Sequence, residues 1–506
     1  MMRTIEKRIW ALLCINAALF LQTASAQAPS TSATLPMTSQ SHEARELVQQ
    51  ALTLYLDRVQ QEPANDILRK AVKIDPDFAM AHELLAQISL NSAEQVSEQK
   101  AAFATRKHAT ASEQTVIEWY QDAADHKLLA AIPEMNEVIR QYPHDKWVVW
   151  MTTWWLMSQS QFERALDVYE QSGIKDSPGL LNNMGYNCAD LRQFDKAFVY
   201  MDQYVASMPG DPNPLDSYAE ILRLAGRYDQ SIQHYRAALA IDPTFYSSQF
   251  GIADTYSLMG DQARARREYE IGFARFEVPE LQQVLWKTRR ASTYVREGDY
   301  AGADKAFQEI ADYAHSRQIS QVEADTYRQM AEYQQNPKQA VAFLNKADAA
   351  LSEGNNAQKI ALQQEEAQVL RARVELALKT EDAATAKSNL LRLSKLAANS
   401  GDKLIDLAYS GAEGAVLFSH EHYQDAISRL EEDITDPRSL KLLIAAYQNT
   451  GDSAGAKQTS ELLANLNDPT TEQAMVVPEF KKCMQTSSCG GDLRPVSLPH
   501  SKRQAQ

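Results

Sequence analysis

His420 and His422 flank Glu421, and a His-Glu-His run holds side-chain types that bind zinc. Two ligands on one helical face need a separation of three or four residues, however, and these lie two apart. A solvated turn between helices is the expected place for them. Gly451–Lys457 reads Gly-Asp-Ser-Ala-Gly-Ala-Lys, the residue types of a phosphate loop, but its glycines stand too close together and no strand precedes it. Ser410 lacks the glycine two positions earlier that a nucleophile elbow requires. Carboxylates are plentiful, yet none forms a pair distinguishable from helix surface. No catalytic constellation, metal site or cofactor site emerges, so the chemistry expected of this chain is binding. Cys483 and Cys489 close the short run Cys-Met-Gln-Thr-Ser-Ser-Cys and are expected to form a disulfide if the chain is exported, since a redox pair is more usually separated by two residues. Cys188 falls on an apolar helical face and is expected to be a buried thiol.

The elements that carry these residues show themselves through repetition. Between Pro178 and Pro279 one pattern of apolar, small and aromatic residues returns three times at a spacing of 34 residues. The middle copy has Ala219, Leu222, Gly226, Tyr228, Ser231, Tyr235, Ala238 and Pro243; the copies on either side keep most of that character. Apolar steps of three, four and seven within each half predict two amphipathic helices, hence a helical hairpin. Gly185, Ala219 and Ala253 in the first helices, with Ala197, Ser231 and Ala265 in the second, leave room for close approach. Gly226 and Gly260 suit a left-handed turn, and Pro243 ends the second helix. These residues closely resemble the tetratricopeptide repeat. The resemblance implies an all-α, right-handed superhelix of stacked antiparallel hairpins with a concave groove, a fold that binds protein or peptide partners.

Lys146 to Asp176 differs from its neighbours in holding Trp147, Trp150, Trp154 and Trp155, four of the seven tryptophans. In the register set by Pro143, Phe162 and Ala165, the packing places fall to Val149, Thr152, Thr153 and Leu156. Trp147, Trp150 and Trp154 then share another face, the one that lines the groove in the repeats this stretch resembles. Either they form an exposed aromatic binding surface or they pack under a neighbouring unit as core. Continuing along the same face adds Asn182 and Tyr186, then Asp216, Glu220 and Arg223, then Phe250 and Asp254. Relatives that hold chaperone tails by their terminal carboxylate use paired Lys and Asn in such places. This mostly aromatic and acidic wall is expected instead to suit an apolar or basic segment.

Residues 1–26 have a positive start, a short apolar run from Ile9 to Leu21 and a small-residue site at Ala24-Ser25-Ala26, the pattern of a cleaved bacterial export signal. A disordered linker is expected over 27–41, degenerate hairpins over 42–145, the clear repeats over 146–279, looser ones over 280–468 and a flexible tail over 469–506. No later segment is apolar enough to span a bilayer, so a periplasmic or secreted protein is expected. The net charge of −15 argues against nucleic acid and anionic lipid as partners, because both call for a positive surface. The function expected is a non-enzymatic scaffold of the cell envelope. Its alternative is an accessory subunit of an envelope enzyme or assembly complex, with the site in the C-terminal half.

Overall fold

The computed structural model describes residues 34–125, 127–355 and 357–486. The expected export signal, Cys489 and the end of the tail lie outside these. Helices α1–α6 are His42–Arg58, Gln61–Ile74, Ala79–Ile88, Ser92–Thr105, Ala111–Ala124 and Leu128–Gln141. Helices α7–α14 are Lys146–Ser158, Phe162–Ser172, Pro178–Asp190, Phe194–Ser207, Asn213–Leu224, Tyr228–Ile241, Tyr246–Met259 and Gln262–Arg275. Helices α15–α20 are Glu280–Glu297, Tyr300–Ser316, Ser320–Tyr333, Pro337–Glu353, Lys359–Lys379 and Ala383–Ser400. The last five, α21–α25, are Lys403–Ser419, Tyr423–Leu430, Pro437–Thr450, Ser453–Ala464 and Thr471–Thr486. Helices α1 to α24 pair off as twelve successive hairpins stacked into an all-α solenoid.

Local chemistry explains why the hairpins form. Gly226 and Gly260 take φ of +75° and +93°, the left-handed turn that glycine enters without a Cβ clash. An aspartate follows the turn in several units: Asp261, Asp299, Asp382 and Asp452 each accept a hydrogen bond from a backbone N–H in the first turn of the next helix. Small residues then set the helix spacing. A Cβ at Gly185 would lie 2.1 Å from Cε of Met201, and Ala197, Ala219, Ser231, Ala253 and Ala265 are fully buried. Cys188 is buried in α9, and burial pushes its thiol up to about 11.

Both ends of the chain depart from the sequence expectations. The linker reading of 27–41 fails over its described part. Leu35 is buried, its N–H donates to Oδ2 of Asp145 at 2.9 Å, and the Thr38 N–H donates to Oε1 of Glu113 at 2.6 Å. The segment is polar, but two acceptors far along the chain hold it. The flexible tail at 469–506 is corrected in the same way, because 471–486 is helix α25. Pro478 and the threonines of "DPTT" hide its helical pattern, while Ala474, Val477 and Phe480 give it an apolar face. Val477 and Phe480 pack with Leu440, Ile444 and Leu463. Among the described residues no helix is long and apolar enough to cross a membrane.

Candidate binding face

The expected groove residues do meet, but as a largely buried ladder. Repeats 34 residues apart stack, so equivalent positions become neighbours: Tyr186 Oη donates to Oε2 of Glu220 at 2.8 Å. Arg223 Nη2 donates to Oε1 of Glu220 at 2.6 Å, and its Nη1 stands 3.7 Å from Oδ2 of Asp254. Tyr269 and Arg289 both donate to Asp254. Burial raises the charge cost of Glu220, yet Arg223 and Arg289 outweigh it and hold that carboxyl below its usual range. Asp216 accepts from Ser248 Oγ at 2.6 Å, and burial beside Glu220 pushes it up to about 7.

Several residues expected to line an open groove are core instead. Phe250 is fully buried and stacks on Trp286 with centroids 4.1 Å apart. Arg223 and Asp254 are each 1% exposed. Asn182 is half-buried, and its Oδ1 has no hydrogen-bond partner. The tryptophans divide between the two readings. Trp147 is buried and Trp150 half-buried, both against the Tyr55 ring of α1, with Tyr55 and Trp150 centroids 5.0 Å apart. Trp154 is 54% exposed and stacks on Trp150 at 5.7 Å and 7°. The repeat register alone could not show that α1 turns back onto α7 and covers two of the three rings.

The C-terminal connection turns back as well. From the end of α24 it crosses the turn edge of the α9–α12 hairpins and enters the inner face of α15 and α17. Arg192 Nη2 donates to the Asn465 carbonyl at 2.7 Å. Tyr228 Oη donates to Oδ1 of Asn467 at 2.7 Å, and Asn467 Nδ2 donates to the Leu224 carbonyl at 3.2 Å. Asp468 reaches solvent within electrostatic range of Arg289 and Arg223. Thr471 Oγ1 donates to Gln329 Oε1 at 2.5 Å, Arg328 Nη1 donates to Glu472 Oε1 at 3.2 Å, and Arg296 donates to Gln473. Arg289, Arg296 and Arg328 extend the face beyond the residues identified from sequence, and the segment that crosses it carries Asp468 and Glu472. Helix α15 runs 18 residues where α13 runs 14, so the 34-residue spacing does not carry the groove places past Asp254.

The remaining sequence motifs hold no concealed site. His420, Glu421 and His422 are exposed in the turn between α21 and α22. Ser410 is buried and donates to Oε2 of Glu432 at 2.7 Å, which occupies the hydroxyl. Gly451 and Asp452 form the turn and cap between α23 and α24. Cys483 lies in α25 and is disulfide-bonded; Cys489, its expected partner, is outside the described residues. Among the described residues no group of three or more His, Cys, Asp or Glu side chains is arranged to hold a metal.

Residues 215–245, which hold most of α11 and all of α12, match the tetratricopeptide repeat family model. That stretch is similar to one tetratricopeptide repeat. The hairpins on either side of that repeat share its length, turn and packing. Two solved structures are similar over most of the chain. The APC/C hetero-tetramer Cut9–Hcn1 aligns at 12% identity and a TM-score of 0.41, covering 85% of this chain and 75% of that one. Yeast Tom70 aligns at 13% and 0.38, covering 88% and 96%. No curated protein matches in sequence.

Burial of carboxyls on and near this face gives the stability a definite pH dependence. Burial pushes Glu83 up to about 7, Asp216 to about 7 and Glu365 to about 8. Folded, these groups keep protons that the unfolded chain has released, so the folded state binds more protons between about pH 4 and 8. Their stabilisation is complete below the unfolded values and is lost as pH rises through the folded ones. Carboxyls shifted the other way, such as Glu94 and Glu375, act only at lower pH. The melting temperature is expected to be higher at pH 5.5 than at pH 8.5 by circular dichroism, and Glu83→Gln should flatten part of the slope. A melting temperature that rises with pH over this interval contradicts the assignment.

Proposed function

We propose that the protein is a non-catalytic interaction scaffold, exported to the bacterial cell envelope through residues 1–26, that binds a protein partner with Trp154 as an anchor. Tetratricopeptide-type helical repeats are of the kind that mediates protein–protein interaction. The observation that supports an anchor role is the state of one ring. Trp154 is more than half exposed, yet it is already held by stacking on Trp150, which stacks on Trp147 at 5.2 Å and 14°. A large ring fixed before binding loses little side-chain entropy when a partner covers it, and rigid tryptophans of this type dominate interface energetics.

The test compares native chain with Trp154→Ala in affinity capture from an envelope extract. Capture of a partner by the native chain and its loss from Trp154→Ala, with unchanged melting, is the expected result. Equal capture by both sinks the anchor role. Trp147→Ala should behave differently, because that ring is core. Its truncation is expected to cost about 3–5 kcal/mol in chemical denaturation.

A further inference from the structure

We propose that residues 465–473 are a ligand carried in cis, and that the face they cover recognises an extended partner segment with an asparagine followed by carboxylates. This stands apart from the role of Trp154, which shares no residue with it.

A connection between α24 and α25 needs only to span the distance. Instead, its side chains bond to residues far along the chain. Asn467 is 5% exposed, and its amide is read from both sides: Tyr228 donates to the oxygen, while the nitrogen donates to the Leu224 carbonyl. Such paired recognition accepts asparagine and rejects residues that lack either function. Downstream, Glu472 Oε1 accepts from Arg328 at 3.2 Å, and the exposed Asp468 lies within electrostatic range of Arg289 and Arg223. The strap brings no basic residue before Lys481.

The strap also leaves binding capacity unused. Arg223 is 1% exposed, yet its Nε and Nη1 have no hydrogen-bond partner, and neither has Nε of Arg296. A buried guanidinium with spare donors is costly, and a ligand with a better placed carboxylate would satisfy it. The cis segment therefore holds the face in a form that a partner segment of the same chemistry can take over by competition.

The probe is a fluorescein-labelled synthetic peptide with the sequence of residues 463–475, measured by polarisation against full-length protein. A tethered segment competes at an effective concentration on the order of millimolar, so the native chain should bind the peptide weakly. Full-length Asn467→Ala/Asp468→Ala, in which the tether is weakened and the face is intact, should bind it at least about tenfold more tightly. A peptide with the same two substitutions should bind neither protein. In the native chain, excess peptide should accelerate hydrogen exchange over 465–473. If the double variant fails to fold, Asn467→Asp keeps the shape, loses the donor to Leu224 and serves the same comparison. Equal binding of native and substituted peptides overturns the proposal, as does absence of binding to a folded variant. Strap exchange between two copies, seen as dimer formation without peptide binding, also overturns the partner assignment.

Discussion

Gly179→Val is expected to detach the N-terminal hairpin from the rest of the solenoid. Gly179 lies in the first turn of α9, and a Cβ there would stand 2.3 Å from the Leu56 carbonyl oxygen and 3.1 Å from its carbon. At Gly185 the obstructing atom is the mobile end of Met201, but here it is backbone, and helix α1 as a whole must move. That helix carries Tyr55, which covers Trp147 and Trp150, and buries Leu52 and Leu56. Overpacking alone costs about 1–3 kcal/mol, and loss of the α1 contacts adds to it. Urea denaturation should show an early transition with red-shifted tryptophan emission. Ala384→Val is the control, because Ala384 is exposed in the first turn of α20. A native-like denaturation curve for Gly179→Val would show that the α1–α9 contact contributes nothing to stability.

Arg328→Met should be nearly as damaging, for an electrostatic reason. The Arg328 guanidinium donates to Glu365 at 2.8 Å, to Glu332 at 2.8 Å, to Asp325 at 2.5 Å and to Glu472 at 3.2 Å. Glu332 keeps Arg438 when Arg328 is removed, but Glu365 is left buried without a cation. Breaking a buried pair from one side costs about 3–5 kcal/mol when the remaining group is ionised, because its charge is then stranded out of water. Protonation relieves that cost, and burial already holds Glu365 at about 8. The loss should therefore be greater at pH 8 than at pH 6 when both proteins are denatured chemically. Equal losses at the two pH values would remove Glu365 from the explanation. Arg140→Met, at an exposed pair with Glu137, should leave the curve unchanged.

The two variants probe parts of the molecule that were legible in the sequence to different degrees. Gly226 and Gly260 signalled their turns because a left-handed backbone singles out glycine. The ladder from Tyr186 to Glu220 to Asp254 was also legible, since a spacing of 34 residues places equivalent side chains on adjacent hairpins. Arg289 escaped because α15 runs 18 residues where α13 runs 14, so the 34-residue spacing does not continue through it. Glu83 and Glu365 gave no warning of their raised proton affinity, because nothing in a helical pattern distinguishes a carboxyl facing water from one facing a covered interior.

The sequence by itself determined the hairpin, its turn, its small-residue packing and the stacking of each unit on the next. These follow from local propensity and from contacts between neighbours, and in a repeat fold both recur at a fixed spacing. Only the tertiary structure decided what lies inside the solenoid: α1 over Trp147 and Trp150, and residues 465–473 across the face from Arg192 to Arg328. The Asn465 to Arg192 contact closes a separation of 273 residues. A pattern that repeats every 34 residues specifies how neighbouring hairpins meet. The contacts of α1 with α7 and α9, and those of residues 465–473 with Arg192 and Arg328, join elements several hairpins apart, and no single repeat encodes them.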